Sequence, residues 1–165
     1  MTTVPSFQNA KRLRSTFRVP NTTTGGLDNI TAQGSVLHFN QYVTNPSHLY
    51  LLVCSTGGTT PDSDRNYVVS TTDTSTDHEL PAIPAWTTSN ETTATASGTA
   101  GATRTQAADL PYYNQGTNAT RVNTHVYLYL LDVPITGSQP IMALALPGPA
   151  NSSAPQLHIL AETIS

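Results

Sequence analysis

The sequence predicts an all-β protein, a single-domain antiparallel β-sandwich, and three observations predict it. Apolar stretches are short and rich in Val, Tyr, Phe and Leu; clusters of Gly, Pro, Asn and Ser separate them; no segment carries a 3.6-residue apolar period with helix caps. At 165 residues the chain has the length of one domain. A domain of that size buries roughly two thirds of its unfolded surface, enough to fold without disulfides or metal.

The strand candidates follow in chain order. Leu13, Ser15, Phe17 and Val19 alternate with Arg12, Arg14, Thr16 and Arg18, so a strand here has one basic face. Val36 to Val43 and His48 to Cys54 flank Thr44-Asn-Pro-Ser47, a turn in which Pro46 drives Asn45 out of the helical region. The two read as a hairpin. Asn66 to Thr71 is a further strand, and Ile83 to Thr88, around the single Trp86, a weak one. Thr124 to Val133 is the strongest pattern of all. Ile141 to Leu146 and Leu157 to Ile164, bounded by Pro140, Pro147, Pro149 and Pro155, complete a set of about eight strands.

Between the weak and the strong patterns lies a low-complexity excursion, residues 87–120, made mostly of Thr, Ala, Ser, Gly and Asn. Thr93 to Ala108 is Ala-rich, with room for a turn or two of helix, but Ser97-Gly98 and Gly101 argue against a long one. Leu110-Pro-Tyr-Tyr113 is its apolar anchor. A loop of such length in a compact domain is usually functional or disordered.

Charge divides the chain into residues 1–19, a basic N-terminal arm leading into the first strand, and residues 20–165, the sandwich body. Lys11, Arg12, Arg14 and Arg18 are four of the seven basic residues, whereas all ten acidic residues lie beyond the arm. This asymmetry points to a polyanion or membrane partner for the arm, with a solvated chain start as the plain alternative. Only 10% of residues are charged, against about 25% in an average globular protein. Surfaces covered by other protein are depleted in Lys, Glu and Asp, so this composition fits self-association as well as it fits a Thr-rich β protein. The start of the chain lacks the basic and apolar regions of a secretory signal, and apolar runs fall well short of the ~20 residues that span a bilayer. Cys54 is the single cysteine, which excludes an internal disulfide and reads as a buried, inert thiol.

Catalytic patterns are missing. His78-Glu79 opens like a helical zinc motif, but Pro81 blocks the helix and no second histidine lies four residues on. There is no nucleophile elbow, phosphate-binding Gly loop or dinucleotide fingerprint. Asp62-Ser-Asp64 resembles the opening of a calcium loop without its Gly and distal Glu, which leaves Asp62 and Asp64 as a weak oxygen-only cation site or an ordinary Asp turn. No enzymatic activity is expected.

The eight strands, the short basic arm and the low-charge Thr/Ser/Asn/Pro-rich body together resemble, in outline, the jelly-roll coat proteins of small icosahedral satellite and simple RNA viruses. No family motif is matched, so no functional residue is carried over by position. The resemblance implies an eight-stranded jelly roll that self-assembles in many copies into a virion shell, made in the host cytoplasm without a signal peptide. The arm residues Lys11, Arg12, Arg14 and Arg18 would meet the phosphates of enclosed nucleic acid, RNA in most such viruses. Such coats often carry a longer basic arm; here polyamines or divalent cations, the latter at subunit interfaces, would supply the remaining neutralisation. No organic cofactor is implied.

A different class of reading is a receptor- or carbohydrate-binding β-sandwich, such as a fibre tip, a decoration protein or a lectin-like module. Its signature would be surface aromatics, and Trp86, Tyr112 and Tyr113 lie in or beside the excursion. A core contact is the alternative use of Trp86.

Overall fold

The computed structural model describes residues 7–8, 14–15, 29–38, 45–60, 66–71, 75–96, 101–115, 120–135, 140–148 and 154–164. Among them there is no helix. The strands are β1 (Phe7–Gln8), β2 (Arg14–Ser15), β3 (Ile30–Thr31), β4 (Val36–His38), β5 (His48–Thr56), β6 (Asn66–Thr71) and β7 (Ser75–Glu79). They continue as β8 (Ala94–Thr95), β9 (Thr103–Leu110), β10 (Tyr113–Gln115), β11 (Thr120–Val122), β12 (Val126–Pro134), β13 (Ile141–Ala145) and β14 (Gln156–Ile164). A six-stranded sheet has the order β3-β14-β5-β12-β9-β8, a four-stranded sheet the order β4-β13-β6-β7, and β1–β2 and β10–β11 form two separate ribbons.

Every strand pairing is antiparallel, and four of them are nested. β6 pairs with β7 as the innermost hairpin, β5 with β12 around it, β4 with β13 outside that, and β3 with β14 outermost. Successive nested pairs fall in alternate sheets. Sideways pairing of β14 with β5, and of β13 with β6, then knits each sheet.

The two sheets share one apolar core, an arrangement consistent with a β-sandwich. Alternate residues of β5 (Leu49, Leu51, Val53) and β12 (Tyr129, Leu131, Val133) face inward with Leu157 and Ile159 of β14. Across from them stand Val69 of β6 and Ile141 and Leu144 of β13. Period-2 alternation puts the intervening residues on the outer face of the six-stranded sheet. There Tyr50, Leu52 and Ala161 form a second buried cluster, flanked by Leu128, Leu130 and Leu160.

Several sequence expectations need correction. Val36 to Val43 and His48 to Cys54 do not pair as a hairpin: β4 belongs to the four-stranded sheet and β5 to the six-stranded one. Residues 39–44 lie outside the described residues, while Asn45 just after them has a left-handed φ of 54°, not the extended backbone that a following proline favours. Thr103–Leu110, read as loop or a turn of helix, is an eight-residue strand hydrogen-bonded to β12 on one side and β8 on the other. Tertiary pairing outweighs the weak strand propensity of its Ala and Gln. Ile83 to Thr88 makes a single parallel bridge, Ala85 to Ser55, in place of a strand.

Candidate functional site

The segment between β7 and β8 builds the most distinctive surface feature. β5 and β12 pair from His48 opposite Pro134 up to Val53 opposite Tyr129. The same register would place Ser55 beside Tyr127, but there the strands part. The Trp86 N–H donates to the Ser55 carbonyl at 2.7 Å, and the Tyr127 N–H donates to the Trp86 carbonyl at 2.7 Å. One residue from a loop thus satisfies the two backbone groups that the missing strand contact would have left open.

This wedge is tied down from several sides. Leu80 and Ile83 are buried in the shared core, and Ile83 exchanges hydrogen bonds with Thr60: the Thr60 N–H donates to the Ile83 carbonyl at 3.0 Å, and the Ile83 N–H to Thr60 Oγ1 at 2.9 Å. Tyr129 donates its hydroxyl to the Thr88 carbonyl at 2.7 Å. Arg104, 3% exposed, donates Nη1 to the Ala82 carbonyl at 2.7 Å and Nη2 to the Thr92 carbonyl at 2.8 Å. Its guanidinium also lies 5.4 Å from the centroid of the Tyr129 ring. Burial pushes the Arg104 pKa down and that of the Tyr129 phenol up; the neighbouring charges of this pair oppose both shifts.

Where the strands part, a groove of about 350 Å³ opens on the outer face of the six-stranded sheet. Cys54, Val126, Leu128 and Leu160 form its apolar floor, and Trp86, Leu110, Tyr112 and Tyr113 its walls. Two β-bulges shape this face: the register shifts at Ala107 in β9 and at Leu160 in β14, so Leu110 and Leu160 both turn outward. Trp86 and Tyr113 touch with ring centroids 4.8 Å apart and planes inclined at 51°. The Arg121 guanidinium lies 4.0 Å from the centroid of the Tyr112 ring, and its Nε donates to Asn123 Oδ1 at 2.8 Å.

One end of the groove is polar. His158 stands between Thr56, whose hydroxyl lies 2.8 Å from Nε2, and Asn29, whose Oδ1 lies 2.8 Å from Nδ1. With the Nδ1 proton donated to Asn29 and the Thr56 hydroxyl donated to Nε2, the neutral imidazole is satisfied on both sides. No carboxylate lines the groove among the described residues.

The structure therefore brings Trp86, Tyr112 and Tyr113 together on one surface, and Trp86 is half-buried at the groove wall. Lys11, Arg12, Arg18, Asp62 and Asp64 lie outside the described residues. Arg14 is described as a backbone position of β2, opposite Gln8 of β1. Among the described residues no group of three or more His, Cys, Asp or Glu side chains is placed to hold a metal ion. No helix there is long and apolar enough to cross a membrane. Sequence reasoning missed Asn29, Thr56 and His158, which meet at the groove from distant parts of the chain, Arg121, which stacks on the lining residue Tyr112, and Arg104, which sits within the low-complexity stretch.

Comparison with protein-family models finds no match, and comparisons with curated proteins and with solved structures find none either.

Proposed function

We propose that this chain is a structural coat subunit with a jelly-roll fold, copies of which self-assemble into an icosahedral virion shell around viral nucleic acid, with no catalytic role. The observation that carries the reading is the nested strand order. The orders β3-β14-β5-β12 and β4-β13-β6-β7 fit an eight-stranded hairpin rolled into two sheets, if β8 to β11 are taken as one insertion between β7 and β12. Viral coats share that architecture with lectins and cupins, so the fold alone does not separate them. The basic segment Lys11 to Arg18, placed ahead of the outermost strand, favours the coat: a sugar binder has no need of it, whereas a shell interior does. Arginine forks at Arg12, Arg14 and Arg18 would contact RNA phosphates without regard to sequence. Asp62 and Asp64 would supply oxygen ligands for a divalent cation between subunits.

The test is to run the full chain through size-exclusion chromatography with light scattering, record absorbance at 260 and 280 nm, and image the peak by negative stain. Closed shells of uniform diameter support the proposal, and the absorbance ratio reports enclosed nucleic acid. Triple replacement of Arg12, Arg14 and Arg18 by Ala should then lower nucleic-acid retention and flatten its salt dependence while the domain stays folded. A clean monomer or trimer at neutral pH and moderate salt would overturn it. The surviving reading would be a surface-binding module, which the aromatic groove favours.

A further inference from the structure

We infer that the groove walled by Trp86, Tyr112 and Tyr113 is a binding site for a carboxylated pyranose, a sugar of the uronic-acid type. The inference holds equally for a shell subunit and for a free-standing module, because every residue it uses belongs to one chain.

Size comes first. At about 350 Å³ the groove lies at the small end of ligand sites and accommodates one or two six-membered rings. Shape comes next. A nucleobase is flat and stacks best on a single face or in a parallel-sided slot, whereas Trp86 and Tyr113 meet at 51° and form an angled wall. A chair-shaped ring presents a C–H face with raised edges, and an angled pair of aromatic rings follows that outline more closely than a flat platform does.

Polarity and charge narrow the class further. The apolar floor of Val126, Leu128 and Leu160 suits the C–H face of a sugar, while Thr56 and Asn29, anchored on His158, offer it the remaining lone pairs of their side-chain oxygens for its hydroxyls. These groups are already held in place by bonds to one another, so little ordering is needed on binding. Arg121 does not line the groove but stacks on Tyr112, which does, so a cation stands beside it, and no carboxylate among the described lining residues opposes an anion. A ring bearing a carboxylate matches this pattern better than a neutral hexose.

Trp86 is the only tryptophan in the chain, so its emission reports directly on the groove. The full-length protein is titrated with glucuronate, glucose and uridine monophosphate, each at constant ionic strength. Glucuronate should change the emission saturably, with glucose about fivefold weaker, the upper end of what an exposed ion pair contributes. Uridine monophosphate should bind no more tightly than glucose. Arg121→Gln should bring glucuronate down to the affinity of glucose and leave glucose unchanged; Arg121 is exposed on β11, and its loss opens no core. Absence of a saturable response to glucuronate overturns the inference, as does equal loss of both sugars in Arg121→Gln. Tighter binding of the nucleotide overturns it too and makes the groove a base-stacking site.

Discussion

Over six of their nine residues β5 and β12 lie hydrogen-bonded side by side, the paired half; over the other three, the parted half, the same two strands stand apart with Trp86 between them. In the paired half both faces are packed, with Leu49, Leu51 and Val53 in the shared core and Tyr50 and Leu52 in the outer cluster. In the parted half the outer face is an aromatic groove, and Leu110 and Tyr112 remain 40% and 41% exposed beside it. One sheet thus carries a closed region and an open one, and the change is made by two backbone hydrogen bonds to a loop residue. The paired half supplies stability; the parted half leaves apolar surface for a partner.

Truncating a side chain in each half should expose that division most strongly. Leu131→Ala, in a fully buried position of the paired half, should lower unfolding free energy by about 3 kcal/mol in urea titration. Leu110→Ala at the groove should cost less than ~1 kcal/mol. Equal costs would mean that the groove is as much a part of the core as Leu131 is.

Next in size is Arg104→Leu, which keeps bulk but leaves the Ala82 and Thr92 carbonyls without their donor. We expect a loss of about 2 kcal/mol, together with a red shift of Trp86 emission in the native state, because the loop that carries Trp86 is released. Leu131→Ala should leave the native emission where it is. If Arg104→Leu destabilises without moving the emission, the guanidinium serves the core alone.

Tyr129→Phe removes only the hydroxyl bonded to the Thr88 carbonyl. Thr88 is exposed, so water replaces the lost donor, and the cost should be about 1 kcal/mol or less by thermal unfolding.

The smallest effect belongs to Glu162 of β14, opposite Leu51 in the paired half, whose pKa burial raises. The folded state therefore holds this proton more tightly than the unfolded chain does, and stability falls as pH rises through the carboxylate range toward the raised pKa. Glu162→Gln should gain at most ~0.5 kcal/mol at neutral pH, since solvent reaches the carboxyl, and the gain should vanish below the carboxylate range. A gain that persists unchanged into acid would assign it to packing instead.

Strands with their own hydrophobic signal were legible in the sequence. Asn66–Thr71 is a strand at the bounds its pattern predicts, and β12, β13 and β14 differ from theirs by no more than two residues at either end. β9 was not legible, because its inward positions hold Arg104 and Gln106 where a lone strand would show Val or Leu, and both side chains serve the 80–92 loop. The polar β7 carries no strand signal of its own, and its pairing with β6 makes the strand. The hairpin expectation for residues 36–54 failed because neighbours in sequence usually pair, and the nested order sends these two to different sheets. At the groove, three aromatic residues beside a loop were visible in advance. Their polar companions were not, since Asn29 and His158 are 129 residues apart and share no local motif.

That same nesting dictates an order in time. Ser70 and Ser75, across the innermost hairpin, are five residues apart, while Thr31 and His158, across the outermost pair, are 127 apart. Loop-closure entropy lets the first contact form early and delays the last until β14 is available. On the ribosome, β3, β4 and β5 must therefore wait with unpaired edges until β12, β13 and β14 emerge. The shared core closes only once β14 has emerged, and slow, single-step refolding with a strong tendency to aggregate on dilution from denaturant is the expected behaviour.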